Sequence, residues 1–121
     1  MSSFSKIFVT SHTIIFSLNR GELGKDNLIN IPFNIDEKLN LRFFLEKQEY
    51  LSLYELYGIV SITKENNDFK YVSFCKSPVD SNWYLYNDEN VQQLDLNNIF
   101  ILHNARRQFI PCILSYKGVG K

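Results

Sequence analysis

Apolar residues in this chain alternate with polar ones, or run together in short stretches, more than they follow a helical spacing. From Lys6 to Asn19 the chain is rich in β-branched and aromatic residues. Within it, Thr13-Ile14-Ile15-Phe16-Ser17-Leu18 is apolar on both alternating faces, as a strand covered on both sides would be. Arg20 to Asn27 is a polar loop marked by Gly21 and Gly24. Leu28-Ile29-Asn30-Ile31 reads as a short strand ended by Pro32, and Asn34 to Asn40 as a polar connection. Leu41-Arg42-Phe43-Phe44-Leu45 reads as a single helical turn that buries its aromatics. The longest predicted strand is Leu53 to Thr63. It places Tyr54, Leu56, Val60 and Ile62 on one face and Leu53, Tyr57 and Ile59 on the other, which belongs in the middle of a sheet. Gly58 at its centre predicts a bulge or a close backbone approach.

Lys64 to Asp68 is a turn cluster. Tyr71 to Cys75 and Trp83 to Tyr86 are the next two strands, joined at Ser77 to Asn82 through a Pro-Val-Asp turn. The polar Asn87-Asp88 end sets a carboxamide and a carboxylate at the tip of that hairpin. Leu94 to Asn104 reads as irregular and Asn-rich, Phe109 to Tyr116 as a final strand, and Gly118 to Lys121 as a frayed end. Roughly six strands and little helix predict an α+β chain dominated by an antiparallel sheet.

Composition narrows the function. The 121 residues fit one domain, which buries roughly two thirds of the surface its unfolded chain exposes. Aromatics at 15%, mostly Phe and Tyr, favour strands and large buried contacts. The 13 Lys and Arg balance 13 Asp and Glu, so no basic surplus exists to hold a phosphate backbone, and nucleic acid is not an expected partner. A net charge of zero gives little protection against association, which fits a subunit of something larger. No run of eighteen apolar residues predicts a transmembrane helix. Met1 to Lys6 lacks a secretory pattern, so an intracellular, cytoplasmic location is expected. Ser and Lys without an acid before Glu22 leave an organellar import signal open.

Candidate chemistry is thin. Cys75 and Cys112 have no metal-ligand spacing and lie in apolar runs, so they suit small buried hydrophobes; a disulfide between neighbouring strands stays open. His12 and His103 suit surface or capping positions. Trp83 suits a core residue pinning the hairpin better than a ligand platform. No cofactor or metal is expected.

Six segments carry a resemblance when taken in order. They are Ile14-Ile15-Phe16-Ser17-Leu18-Asn19-Arg20, Ile31-Pro32-Phe33 with Leu39-Asn40-Leu41, and Tyr54-Glu55-Leu56-Tyr57-Gly58-Ile59-Val60. The others are Asp68-Phe69-Lys70-Tyr71-Val72-Ser73-Phe74, Trp83-Tyr84-Leu85-Tyr86-Asn87-Asp88 and Pro111-Cys112-Ile113-Leu114-Ser115-Tyr116. Spread over residues 8–117, they resemble the C-terminal half of the ubiquitin-specific protease (ubiquitin carboxyl-terminal hydrolase) family, the His- and Asn-bearing half of a papain-like cysteine protease domain. The resemblance implies that residues 1–121 form a single truncated domain of that kind.

A cysteine protease needs a thiolate, a His to take and return its proton, and an Asp or Asn to hold the imidazole. The resemblance places the His position, in the family's "G-G-H-Y", at Lys70. It places the orienting residue, the first of "(D/N)-D", at Asn87. Lysine, with an unperturbed pKa of about 10.4, is a cation at neutral pH with no lone pair to accept a proton. The two glycines that line the family's channel for the thin tail of ubiquitin are Asp68 and Phe69 here. Tyr71, Trp83 and Asp88 complete what the resemblance marks as a vestigial channel. The family's nucleophile stands after an Asn/Gly-rich box at a helix start in the N-terminal half; neither Cys75 nor Cys112 has that context. The finger-region CxxC pairs are missing too.

The resulting expectation is a non-catalytic accessory subunit. Its strands, apolar on both faces, leave a sheet face to be buried against other protein subunits of a larger assembly. Two alternatives stay open. One is a module that still binds ubiquitin or a ubiquitin-like protein, or that complements a deubiquitinase half in trans. The other, weaker one is an active enzyme with an unrecognised site.

Overall fold

A computed structural model describes residues 12–18, 34–40, 53–106 and 108–120, together with the backbone of 4–9. The elements are β1 (Phe4–Val9), β2 (Thr13–Leu18), β3 (Lys38–Asn40), β4 (Leu53–Glu65), β5 (Asp68–Lys76), β6 (Trp83–Asn87), β7 (Asn90–Leu94), α1 (Leu96–Phe100) and β8 (Phe109–Gly120). A π-helical turn, Ile101–Ala105, continues α1. The eight strands form one sheet in the order β1-β2-β8-β4-β5-β6-β7, with β3 beside β4, and every pairing is antiparallel. The α+β class, mainly antiparallel sheet, is as the alternation predicts.

The two longest strands, β4 and β8, lie side by side at the centre. Between Leu56↔Tyr116 and Gly58↔Ser115 the register shifts by one residue on β4. That is the bulge expected at Gly58. It is not a close approach: a Cβ added to Gly58 would first meet the Ser115 Cβ at 3.6 Å, an ordinary contact. The extra residue corrects the predicted faces. Beyond the bulge the alternation is reversed, so Ile59 joins Tyr54 and Leu56 in the core. Val60 is left half-buried on the opposite face, and Ile62, although only 1% exposed, stands outside the core cluster.

The core is built from Ile14, Tyr54, Leu56, Ile59, Phe74, Trp83, Leu114 and Tyr116 on the sheet, closed over by Ile35, Ile99 and neighbouring side chains. Several sequence expectations are corrected here. The stretch from Lys6 to Asn19 holds two strands, β1 and β2, that pair with one another. The connection Asn34 to Asn40 contains β3 and the buried Ile35. Leu94 to Asn104 is not irregular; most of it is α1 and the π-helical turn. Asn104 accounts for one of its asparagines: its side chain accepts from Ile35 N–H at 2.9 Å and donates to Ile35 C=O at 3.2 Å. Gly118 is not frayed, since it pairs with Tyr54, and Gly120 pairs with Leu53. The predicted strand Leu28–Ile31 and helical turn Leu41–Leu45 lie outside the described residues.

Candidate functional site

The site suggested by the sequence lies where the β4–β5 and β6–β7 hairpins end. Asn66 and Asn67 connect β4 to β5 with φ of 53° and 69°. Asparagine tolerates this left-handed conformation, and two such residues in a two-residue connection match the twist of an antiparallel pair. The turn sets Glu65 against Asp68 and Thr63 against Lys70. In the neighbouring hairpin Asp88 takes a φ of 56° and begins the tight return from β6 to β7.

Lys70 is thereby held between two carboxylates. Its Nζ lies 2.9 Å from Glu65 Oε2 and 3.0 Å from Asp88 Oδ2. The bond to Glu65, followed by that to Asp88, raises the ammonium pKa above its ordinary value. The group is a locked cation and has no lone pair to offer. Asn87 is on the same hairpin end, but the ammonium's partners are the two acids. Ser73↔Tyr86 is the last β5–β6 pair before it, which sets Asn87 level with Val72. The Asn87 Oδ1 is buried and has no hydrogen-bond partner.

The remaining residues marked as a channel do not converge there. Asp68 is exposed at the turn, and Phe69 is half-buried with the Lys64 ammonium 5.9 Å from its ring centroid. Tyr71 follows Lys70 in the strand, so it points to the other face of the sheet, where it is 53% exposed. Trp83 starts β6, at the far end from Asp88, and is buried in the core.

The cysteines lie on strands, Cys75 on β5 and Cys112 on β8, and neither forms a disulfide. Cys112 is buried as expected. Cys75 is exposed, contrary to expectation: in β5 it alternates with the core residue Phe74 and faces away from it. Partial desolvation raises its thiol pKa and makes it a poor source of thiolate. Among the described residues, no group of three or more His, Cys, Asp and Glu is placed to hold a metal ion.

His12 is exposed. His103 corrects the expectation of a surface or capping residue, because it is completely buried. Its Nδ1 lies 2.7 Å from Ile99 O and its Nε2 2.7 Å from Ser61 Oγ. A carbonyl oxygen only accepts, so Nδ1 carries the proton and Nε2 accepts from the Ser61 hydroxyl. Burial pushes the imidazole pKa down to about 4. A hydroxyl bonded to a neutral imidazole has the parts of a nucleophile and its base. Here Ser61 and His103 are both 0% exposed, and the Phe74 and Phe109 rings stand 4.9 Å and 5.6 Å from the imidazole. With both side chains fully buried, the pair is part of the core. No sequence signal marked it, since Ser61 and His103 are 42 positions apart.

Among the described residues, one short helical segment closes a bulged antiparallel sheet with the site at its hairpin ends, and the family of the chain follows from comparison with known proteins. Residues 9–112 match the family described as "Ubiquitin carboxyl-terminal hydrolase", and the chain belongs to that family. Ubiquitin carboxyl-terminal hydrolase 2 of Gallus gallus is 28% identical over 100 residues, 82% of this chain and 27% of its own length. Ubiquitin carboxyl-terminal hydrolase 31 of Homo sapiens is 33% identical over 64 residues, 49% of this chain and 5% of its own length. Among solved structures, the SAGA Ubp8/Sgf11/Sus1/Sgf73 DUB module has a chain that superposes with a TM-score of 0.66 at 23% identity, covering 88% of this chain and 23% of that one. A related module bound to monoubiquitin gives 0.63 at 21% identity. The shared fold is that of the papain-like deubiquitinase domain. This chain spans about a quarter of the chicken relative and of the SAGA chain.

Proposed function

We propose that this chain is a catalytically inactive ubiquitin-hydrolase-like half-domain that serves as an accessory subunit of a larger protein assembly. The observation that carries the reading is Lys70. It stands where the family resemblance puts the proton shuttle, and Glu65 and Asp88 hold it as a cation. Two further features support it. Neither cysteine is on a helix, and the thiol of Cys75 is biased toward its protonated form. The sheet face turned away from the core carries half-buried Ile15, Tyr57, Val60 and Ile113 beside exposed Tyr71 and Tyr86, a surface suited to protein contact.

The test is a fluorogenic ubiquitin substrate and a ubiquitin-derived thiol probe, applied to the wild-type chain and to Lys70→His. The expected result is no cleavage by either and no labelling of Cys75 or Cys112. Labelling of either cysteine overturns the inactive reading. For the accessory role, the expected finding is a stoichiometric protein partner after isolation from the native source. A chain that stays monomeric and soluble at high concentration, with no such partner, removes it.

A second reading keeps ubiquitin as a ligand. It is favoured by the likeness to a fold that, in the SAGA module, is seen bound to monoubiquitin. Phe69, where the family has glycine, opposes docking of a thin peptide tail. Titration with labelled ubiquitin separates the two: saturable binding supports this second reading, and the absence of any shift at about 1 mM removes it.

A further inference from the structure

Among the described residues, the strands at the two ends of the β1-to-β7 order differ. On one side β1 has its register broken between Phe4 and Lys6, a feature that discourages another chain from adding to an edge. On the other side β7 reads Asn90-Val91-Gln92-Gln93-Leu94, with no charge and no proline. Its five pairs with β6, from Asn87↔Asn90 to Trp83↔Leu94, run without a shift. Asn90 to Gln93 are all exposed, Val91 by 57%. The two-residue return makes Asn87–Asn90 a hydrogen-bonded pair. Alternation then makes Tyr86–Val91 and Tyr84–Gln93 the pairs without ladder bonds. The N–H and C=O groups of Val91 and Gln93 therefore face outward, and among the described residues no strand pairs with them.

We infer that this outer edge of β7 is a docking site for an extended segment of another protein, added as an antiparallel strand with a basic residue at each end. The charge at the ends selects the occupant. Glu89 precedes β7 and Asp95 follows it, both exposed. A second copy of this chain is disfavoured. The register that pairs all five residues of two β7 strands puts Glu89 of each copy against Asp95 of the other, and like charges opposed across a sheet are destabilising. The same geometry draws a Lys or Arg to each end of a foreign strand. Residues opposite Val91 and Gln93 each exchange two backbone hydrogen bonds with the edge. The residue opposite Val91 also extends the row formed by Tyr86 and Val91, so an apolar side chain fits there. This inference stands apart from the question of catalysis.

The probe is a fluorescent peptide, Lys-Thr-Val-Thr-Val-Thr-Lys, compared by anisotropy with its twin carrying Glu at both ends. Three proteins are titrated: the wild-type chain, Gln93→Pro, and the double variant Glu89→Lys with Asp95→Lys. Proline at 93 removes an outward N–H and no ladder donor. The expected result is saturable binding of the Lys-ended peptide, with the Glu-ended one about tenfold weaker. Binding should vanish in Gln93→Pro, and the preference should reverse in the double variant. Should Gln93→Pro lose its cooperative melt, the reversal alone decides. Equal binding of the two peptides, no binding at about 1 mM, or an unreversed preference overturns the inference. So does binding that survives in folded Gln93→Pro. A wild-type dimer that Gln93→Pro dissociates names a second copy as the occupant and also overturns it.

Discussion

His103 is the side chain whose environment departs furthest from what its position along the chain implied. Buried against Phe74 and Phe109, it is held neutral by a carbonyl on one nitrogen and a hydroxyl on the other. Its folded pKa of about 4 lies below the ordinary 6.5. Between those values the unfolded chain binds the proton and the folded chain does not. The stabilising contribution is therefore complete above about pH 6.5 and drains away as pH falls toward 4. A shift of this size corresponds to about 3 kcal/mol. Urea unfolding at pH 7 and pH 4.5 should show the loss, and His103→Gln, which cannot titrate, should flatten that part of the profile. An equal acid sensitivity in the variant would remove the assignment. The sequence offered no route to this residue, because its partners come from the middle of β4 and from its own helical segment. Lys70 was legible as a departure from a motif. That Glu65 and Asp88 grip it was not, because the grip depends on two separate tight turns closing at one place.

The existence of elements followed the visible chemistry more closely than their boundaries did. Runs rich in β-branched and aromatic residues mark β2, β4, β5, β6 and β8, where the pleat favours such side chains, although β5 begins earlier, at Asp68, and β8 runs on to Gly120. The strand β7 was missed because Asn-Val-Gln-Gln-Leu has little of that character, and only the tight return at Asp88 and Glu89 sets it against β6. The helical segment was missed because its asparagines mimic a loop. Two substitutions probe these elements. Gly58→Ala is expected to change stability by less than about 1 kcal/mol, since the new methyl meets only ordinary contacts and the backbone is not in the left-handed region. A loss of several kcal/mol in chemical denaturation would show that the bulge needs glycine for another reason. Asn104→Ala severs both bonds to Ile35 and should cost about 1–3 kcal/mol by the same measurement, leaving two backbone groups without partners.

At the scale of the molecule, the order β2-β8-β4 makes residues 109–120 the keystone of the sheet. Tyr116 shows why: it pairs with Ile14 and Leu56 on either side, and its hydroxyl donates to Asp36 C=O at 2.6 Å. A chain ended at Arg106 should show no cooperative thermal transition, whereas one ended at Tyr116 should still melt cooperatively at a lower temperature. Circular dichroism during heating distinguishes them, and a cooperative melt of the shorter chain would contradict this placement. The overall class was legible from alternation and turn residues. The order of strands was not, because it depends on pairings between residues about a hundred positions apart, such as Ile14 with Tyr116.

That arrangement has a consequence for biosynthesis. As the polypeptide leaves the ribosome, β2 can pair with β1, and β4 with β3 and β5, but the edges of β2 and β4 that face each other across β8 wait for a segment not yet translated. The nascent chain therefore cannot settle until residues 109–120 clear the exit tunnel. Over that interval heavier reliance on chaperones is expected than for a sheet assembled from successive hairpins.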